Sequence, residues 1–123
     1  MKIRIRGNSI RYRLDKTDMD LLQKTGNVES VTQIGAGSLH FCVRGKDIDD
    51  PAIKMERGGI HLLVPETQLA AWYAPEEVGF EFTLPNNDGS QLAILVEKDF
   101  KCLTERSEDD SQSFDNPMAG QNC

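Results

Sequence analysis

Five cations, Lys2, Arg4, Arg6, Arg11 and Arg13, crowd the first thirteen residues of this chain, and no acid stands among them. Guanidinium forks match the planar oxygens of phosphate and carboxylate, so a set of arginines points to recognition of an anion. Their spacing makes them a set. Ile3 and Ile5 alternate with Lys2, Arg4 and Arg6, while Ile10, Tyr12 and Leu14 alternate with Arg11 and Arg13. The intervening Gly7-Asn8 predicts a β-hairpin with a two-residue turn. In that register Arg6 faces Ser9, Arg4 faces Arg11 and Lys2 faces Arg13. All five cations then share one face, and the apolar residues line the other. Like charges opposed across strands cost a few tenths to ~1 kcal/mol per pair. Three offsets are available: carboxylates of Asp15, Asp18, Asp20, Glu56 or the acidic C-terminal stretch; a bound anion; or solvation with salt screening.

Other constellations carry less chemistry. His40, Cys42 and Arg44 share one strand face at i, i+2 spacing. An imidazole beside a thiol can activate it, but the sequence identifies no third group to orient the pair. His40, His61 and a cysteine do not form a recognised metal spacing. Asp47, Asp49 and Asp50 lack the glycine and closing glutamate of a calcium loop, which leaves a solvated acidic loop. Gly35-Ala36-Gly37 lies between two strand patterns, not at a strand-to-helix nucleotide turn. Trp72 and Tyr73 read as core. No catalytic residue is assigned, and neither a cofactor nor a metal is expected.

Charge and length set the outer bounds. The chain has 123 residues and a formal net charge of −6, which fits one domain. The basic start is opposed by residues 99–123, which hold six acids and two bases. The stretch SEDDSQSFDNPMAGQN has little to bury, so residues 104–123 are expected to form a disordered or loosely draped acidic tail after a domain spanning 1–103. No apolar run is long enough for a membrane helix, and the start MKIRIRGNS is not a signal peptide. Three cysteines (Cys42, Cys102, Cys123) without a CxxC pair fit the reduced thiols of a cytoplasm. Nucleic acid is disfavoured as a partner, because the net charge repels a polyanion at long range.

The elements that must hold the basic face follow from periodicity. After the first hairpin, Asp15-Lys16-Thr17-Asp18 opens a helix that Gly26 stops. Val28 to Ile34 and Leu39 to Arg44 flank a second hairpin, and a loop runs from Gly45 to Pro51. Ile53 and Met55, then Ile60, Leu62 and Val64, make a third hairpin around Gly58-Gly59. Pro65 fits a first helical position, Leu69, Trp72 and Tyr73 form one stripe, and Pro75 ends that helix. Val78 to Leu84 and Leu92 to Val96 give a fourth hairpin. Glu97 to Cys102 reads as a strand end with Phe100 docked on the core.

This order is ββαββ followed by ββαββ. At an offset of 50, Ile3 falls on Ile53, Tyr12 on Leu62, Leu22 on Trp72 and Val28 on Val78. A looser match, after an insertion, joins Leu39–Val43 to Leu92–Val96. The pattern predicts an internal duplication and a mainly β, α+β domain. Its eight strands are expected to form an antiparallel barrel or a two-sheet sandwich with two helices. The equivalent face of the second half carries Lys54, Glu56, His61 and Leu63, and so reads as less basic.

The start KIRIRGNSIRYRL and the later VEKDFKCL, with the acidic stretch and Asp115-Asn116-Pro117 beyond it, look like a family of small uncharacterised bacterial proteins. The resemblance covers nearly the whole chain and implies a bacterial cytosolic protein. It carries over no activity and no functional residues. In architecture alone, a duplicated eight-stranded unit resembles the CYTH-like triphosphate-tunnel barrels, which grip polyphosphate and a divalent metal with inward Arg, Lys and Glu. Their opening E-x-E-x-K signature is absent, and Lys2-Ile3-Arg4-Ile5-Arg6 stands in its place.

The expectation is therefore a non-enzymatic cytoplasmic binding or interaction domain. Its Lys2, Arg4, Arg6, Arg11 and Arg13 face would engage an anionic small molecule or an acidic protein partner. The acidic tail (Glu105, Glu108, Asp109, Asp110) would compete for the same face. The alternative is a phosphate- or polyphosphate-handling enzyme with a tunnel-like barrel. A structural subunit is a third class, hinted at only by Leu63 and Leu95 on polar faces. The discriminator is direction: an enzyme of the tunnel type needs the cations inside with carboxylates converging on them, whereas a binding module needs them on an open face.

Overall fold

A computed structural model of the chain describes residues 1–101 together with 112, 114, 115 and 117. The tail acids Glu105, Glu108, Asp109 and Asp110, the domain end at Leu103, and Cys102 and Cys123 lie outside the described residues. The elements are β1 (Lys2–Arg6), β2 (Ser9–Leu14), α1 (Lys16–Thr25), β3 (Asn27–Ile34), β4 (Gly37–Lys46), β5 (Ala52–Glu56), β6 (Gly59–Pro65), α2 (Glu66–Trp72), β7 (Gly79–Pro85) and β8 (Gln91–Lys98).

Local chemistry sets the helix ends. Asp15 accepts a hydrogen bond from the Asp18 backbone N–H at 2.9 Å, and the Asp18 carboxylate accepts one from the Asp15 N–H at 3.0 Å. This reciprocal box satisfies two N–H groups that the first turn of α1 leaves without partners. Gly26 closes the helix at φ 76°, a left-handed position, and its N–H donates to the Leu22 carbonyl. Pro65 is the N-cap of α2, not its first helical residue, and α2 ends at Trp72, before Pro75 is reached. Trp72 is buried; its indole N–H donates to the Val78 carbonyl at 3.1 Å, and its ring meets Phe80 edge-on at 5.5 Å. These contacts hold the α2–β7 connection to the core.

The strands form two four-stranded sheets, β1-β2-β8-β7 and β3-β4-β6-β5. Neither the antiparallel pattern nor the closed barrel of the sequence reading is found. Each hairpin is antiparallel within itself, but the central pairs β2–β8 and β4–β6 are parallel. Alternation within hairpins does not reveal how hairpins join. In each half the helix carries the chain from a first hairpin in one sheet to a second hairpin in the other. Each sheet thus pairs a first hairpin of one half with a second hairpin of the other half.

The registers bear out the duplication. Ser9 pairs with Ala93 as Gly59 pairs with His40, which reproduces the offsets of 50 and 53 residues. One alignment shifts. Val28 pairs with Val43 as Phe80 pairs with Val96, so the structural counterpart of Val28 is Phe80 and not Val78. The extra two residues lie between α2 and β7, and a shift of two keeps the same sheet face. Tyr12, Leu14, Val43, Leu62, Val64 and Val96 from the four central strands are fully buried, and Leu22, Leu69 and Trp72 join them from the helices. Phe100, expected to dock on this core, is instead 53% exposed.

Candidate functional site

The first hairpin forms in the expected register: Lys2 opposite Arg13, Arg4 opposite Arg11, Arg6 opposite Ser9. Ile10, Tyr12 and Leu14 are buried on the core side, which turns the five cations to the outer face of the first sheet. Lys2, Arg4 and Arg6 on the edge strand are exposed, while Arg11 and Arg13 on β2 are half-buried. The tunnel arrangement is therefore not the one found: the sheets do not close, and the cations face outward.

Parallel pairing with β8 brings the carboxylates of Glu97 and Asp99 to the basic face. Arg13 stands beside Glu97, and Arg11 stands beside Leu95. The Arg11 Nε donates to Glu97 Oε1 at 2.7 Å, and the Arg13 Nε lies 3.4 Å from the same oxygen. Lys2 Nζ lies 2.9 Å from Asp99, and Arg13 Nε 3.8 Å from it. Of the partners foreseen, Asp15, Asp18, Asp20 and Glu56 do not make these contacts; Glu97 makes them together with Asp99, the first acid of the C-terminal stretch. Room for Glu97 comes from Gly79, its partner on β7: a Cβ on Gly79 would lie 2.5 Å from the Val96 carbonyl oxygen and 2.8 Å from the Glu97 Cβ. Beyond the Glu97 row, Arg4, Arg6 and Arg11 line an open groove of about 510 Å³, with Glu81 and Thr83 on its far side.

The outer face of the second sheet holds a groove of about 480 Å³ in the matching place. Lys54, Glu56, His61 and Leu63 line it, as the repeat implies, but so do His40, Arg44, Lys46 and Arg57. The face is more basic than the hairpin alone suggested, because β4 adds its own cations through the parallel junction. Among the described residues, Lys46, Lys54 and Arg57 form no ion pair.

His40 and Cys42 are not hydrogen-bonded as an activated pair. The Cys42 thiol is buried and donates to Asn27 Oδ1 at 2.8 Å, which Arg44 Nε also approaches at 3.1 Å. The His40 Nδ1 lies 3.0 Å from Glu29 Oε1, and its Nε2 lies 2.8 Å from Ser38 Oγ. Glu29 and Ser38 were missed in sequence. Ser38 sits at i−2 on the same strand face, a legible relation, but Glu29 is reached only through the β3–β4 register. Among the described residues no group of three His, Cys, Asp or Glu side chains is placed to hold a metal ion, and no helix is long and apolar enough to cross a membrane.

Comparison with known proteins gives a family and no activity. No curated protein and no solved structure matches the chain. The model of a family described only as a family of unknown function (DUF7009) matches residues 1–118, the span over which the two sheets, both helices and the basic face are encoded, and the chain belongs to that family.

Proposed function

We propose that the protein is a binding domain whose first-sheet outer face recognises an anion, either a small oxyanion or an acidic segment of a partner protein. The observation that carries this reading is the outward placement of Lys2, Arg4, Arg6, Arg11 and Arg13 on one edge hairpin, beside an open groove. Arginine on a flat, open strand face presents its fork without a large cost of burial. Glu97 and Asp99 already meet Lys2, Arg11 and Arg13, so a ligand would compete with Glu97 for Arg11 while the exposed Arg6 is open to it. Fluorescence anisotropy with a labelled poly-glutamate peptide, competed by tripolyphosphate, tests the reading. Binding that weakens with salt and with Arg4→Ala or Arg6→Ala supports it; binding unaffected by both substitutions contradicts it.

One observation favours a second reading from another class. Ser38, His40 and Glu29 stand in the order nucleophile, base and orienting carboxylate, at 2.8 Å and 3.0 Å. An acyl-transfer role would require Ser38 to react. Labelling by a fluorophosphonate, abolished by Ser38→Ala and by His40→Ala, supports that role; an unlabelled Ser38 removes it.

A further inference from the structure

We propose that the groove on the outer face of the second sheet is a separate binding site for a small, multiply charged oxyanion of the phosphate or pyrophosphate type, with Arg57 as its principal contact. Three observations converge on it.

The first is the backbone of Arg57. It is the one non-glycine residue with positive φ among the described residues, at φ 50°, and Gly58 follows at φ 71°. Two consecutive left-handed residues in a two-residue hairpin loop favour Asn-Gly or Gly-Gly. The position fifty residues earlier, in the matching turn, is Gly7 at φ 54°. The second copy of the repeat thus carries a long cationic side chain where the backbone favours glycine or asparagine. Strained residues of this kind persist where the surroundings hold them and where the side chain has a use. Here the side chain lines the groove.

The second observation is charge without compensation. In the first sheet Lys2, Arg11 and Arg13 meet carboxylates of their own chain. In the second, Lys46, Lys54 and Arg57 form no ion pair among the described residues. Glu56 is the single acid of the groove lining, and Glu29 is engaged with His40. Cations gathered from β4, β5 and the β5–β6 turn raise the local potential for an anion.

The third is the floor. His40 and Gly59 are register partners on β4 and β6. A Cβ on Gly59 would lie 3.0 Å from the His61 Nε2 and 3.3 Å from the His40 Cβ. The missing side chain lets the His61 ring fold over the strand next to His40, which places two further nitrogen-bearing rings in the groove. His40 is held in orientation by Ser38 and Glu29. A compact tetrahedral anion suits converging point charges and forks better than an extended acidic peptide does.

The test is a titration of the full chain with sodium pyrophosphate, followed by backbone amide NMR, on the native protein and on Arg57→Gly, Arg57→Asn and Lys16→Ala. The expected result is saturable shifts at residues 44–46 and 54–61. Affinity should weaken about tenfold or more in both Arg57 variants, as loss of a charge-assisted contact requires, and stay within twofold in Lys16→Ala, an exposed cation outside both grooves. Both Arg57 variants should also melt at higher temperature, because they relieve the turn. A residue that served only the fold would not give lower affinity together with higher stability. Shifts confined to residues 2–13 would overturn this site while supporting the first-sheet reading. No saturable shift at millimolar pyrophosphate, or Arg57 variants that bind as the native chain does, would overturn it outright.

Discussion

Arg11 and Glu97 meet at 2.7 Å across the parallel junction of β2 and β8, 86 residues apart in sequence. Both side chains are largely shielded, at 21% and 15% exposure, so this pair is stronger than one on an open surface. It ties the edge hairpin of the first half to the last strand of the second. It also sets how much positive charge the basic face offers to a ligand.

Glu97→Gln removes the carboxylate charge that Arg11 and Arg13 share. We expect a loss of about 1–3 kcal/mol in stability, the cost of leaving shielded cations without their partner. The same change should strengthen anion binding to the first sheet by about fivefold, or ~1 kcal/mol. Denaturant melts and a pyrophosphate titration check the two effects together. A stability loss without tighter binding would mean that Arg11 does not reach the ligand.

Tyr12 is fully buried, and its hydroxyl has no hydrogen-bond partner among the described residues. Burial, with nearby Cys42 as a smaller cause, pushes its ionisation well above the ordinary tyrosine range. In the unfolded chain the phenol ionises near pH 10. Above that pH the unfolded state holds fewer protons than the fold, so stability falls as pH rises. Tyr73 is raised in the same direction, also by burial. Tyr12→Phe should leave the protein about 1 kcal/mol more stable at neutral pH, by removing an unsatisfied buried hydroxyl. It should also flatten the alkaline loss. Equal or lower stability in urea melts, with the alkaline slope unchanged, would show that the hydroxyl is satisfied.

Asp15 is held below the usual carboxylate range, chiefly by the Asp18 backbone N–H that donates to it. A lowered folded-state value contributes stability that is present above the unfolded value of 3.8 and fades as pH falls below it. Asp15→Ala should cost about 1 kcal/mol at neutral pH, the usual worth of an N-cap, and less at acid pH. Thermal melts at pH 7 and pH 3 check the direction.

Truncation after Leu103 removes the acids Glu105, Glu108, Asp109, Asp110 and Asp115. If this acidic segment competes for the basic face, the shortened chain binds pyrophosphate severalfold more tightly at low salt, and the difference closes as ionic strength rises. Equal binding at low salt would dispose of the competition.

Much of the first face was legible because its information is local. Alternation of Ile3, Ile5, Ile10 and Tyr12 with cations, broken by Gly7-Asn8, fixes both register and sidedness within thirteen residues. The duplication was legible for a similar reason, since element order and turn position repeat. What joins distant segments was not. Nothing in the alternation of Ile94 and Val96 says that β8 runs parallel to β2, and so Glu97 could not be placed beside Arg13. The second groove was missed on the same ground: Arg44 and Lys46 reach Lys54 and His61 only through the β4–β6 junction. Arg57 carried a sequence signal, a non-glycine residue at the hairpin position that Gly7 occupies in the first copy, but only the backbone angle shows what that substitution means.

Anion binding by the first-sheet cations is the property to measure first. Phosphate, pyrophosphate and triphosphate, with and without Mg²⁺, should be titrated while the amides of residues 2–13 are followed by NMR. Saturable shifts there, weakened about tenfold by Arg4→Ala or Arg11→Ala, are the predicted result. No shift in residues 2–13 at millimolar ligand would contradict this reading of the basic face.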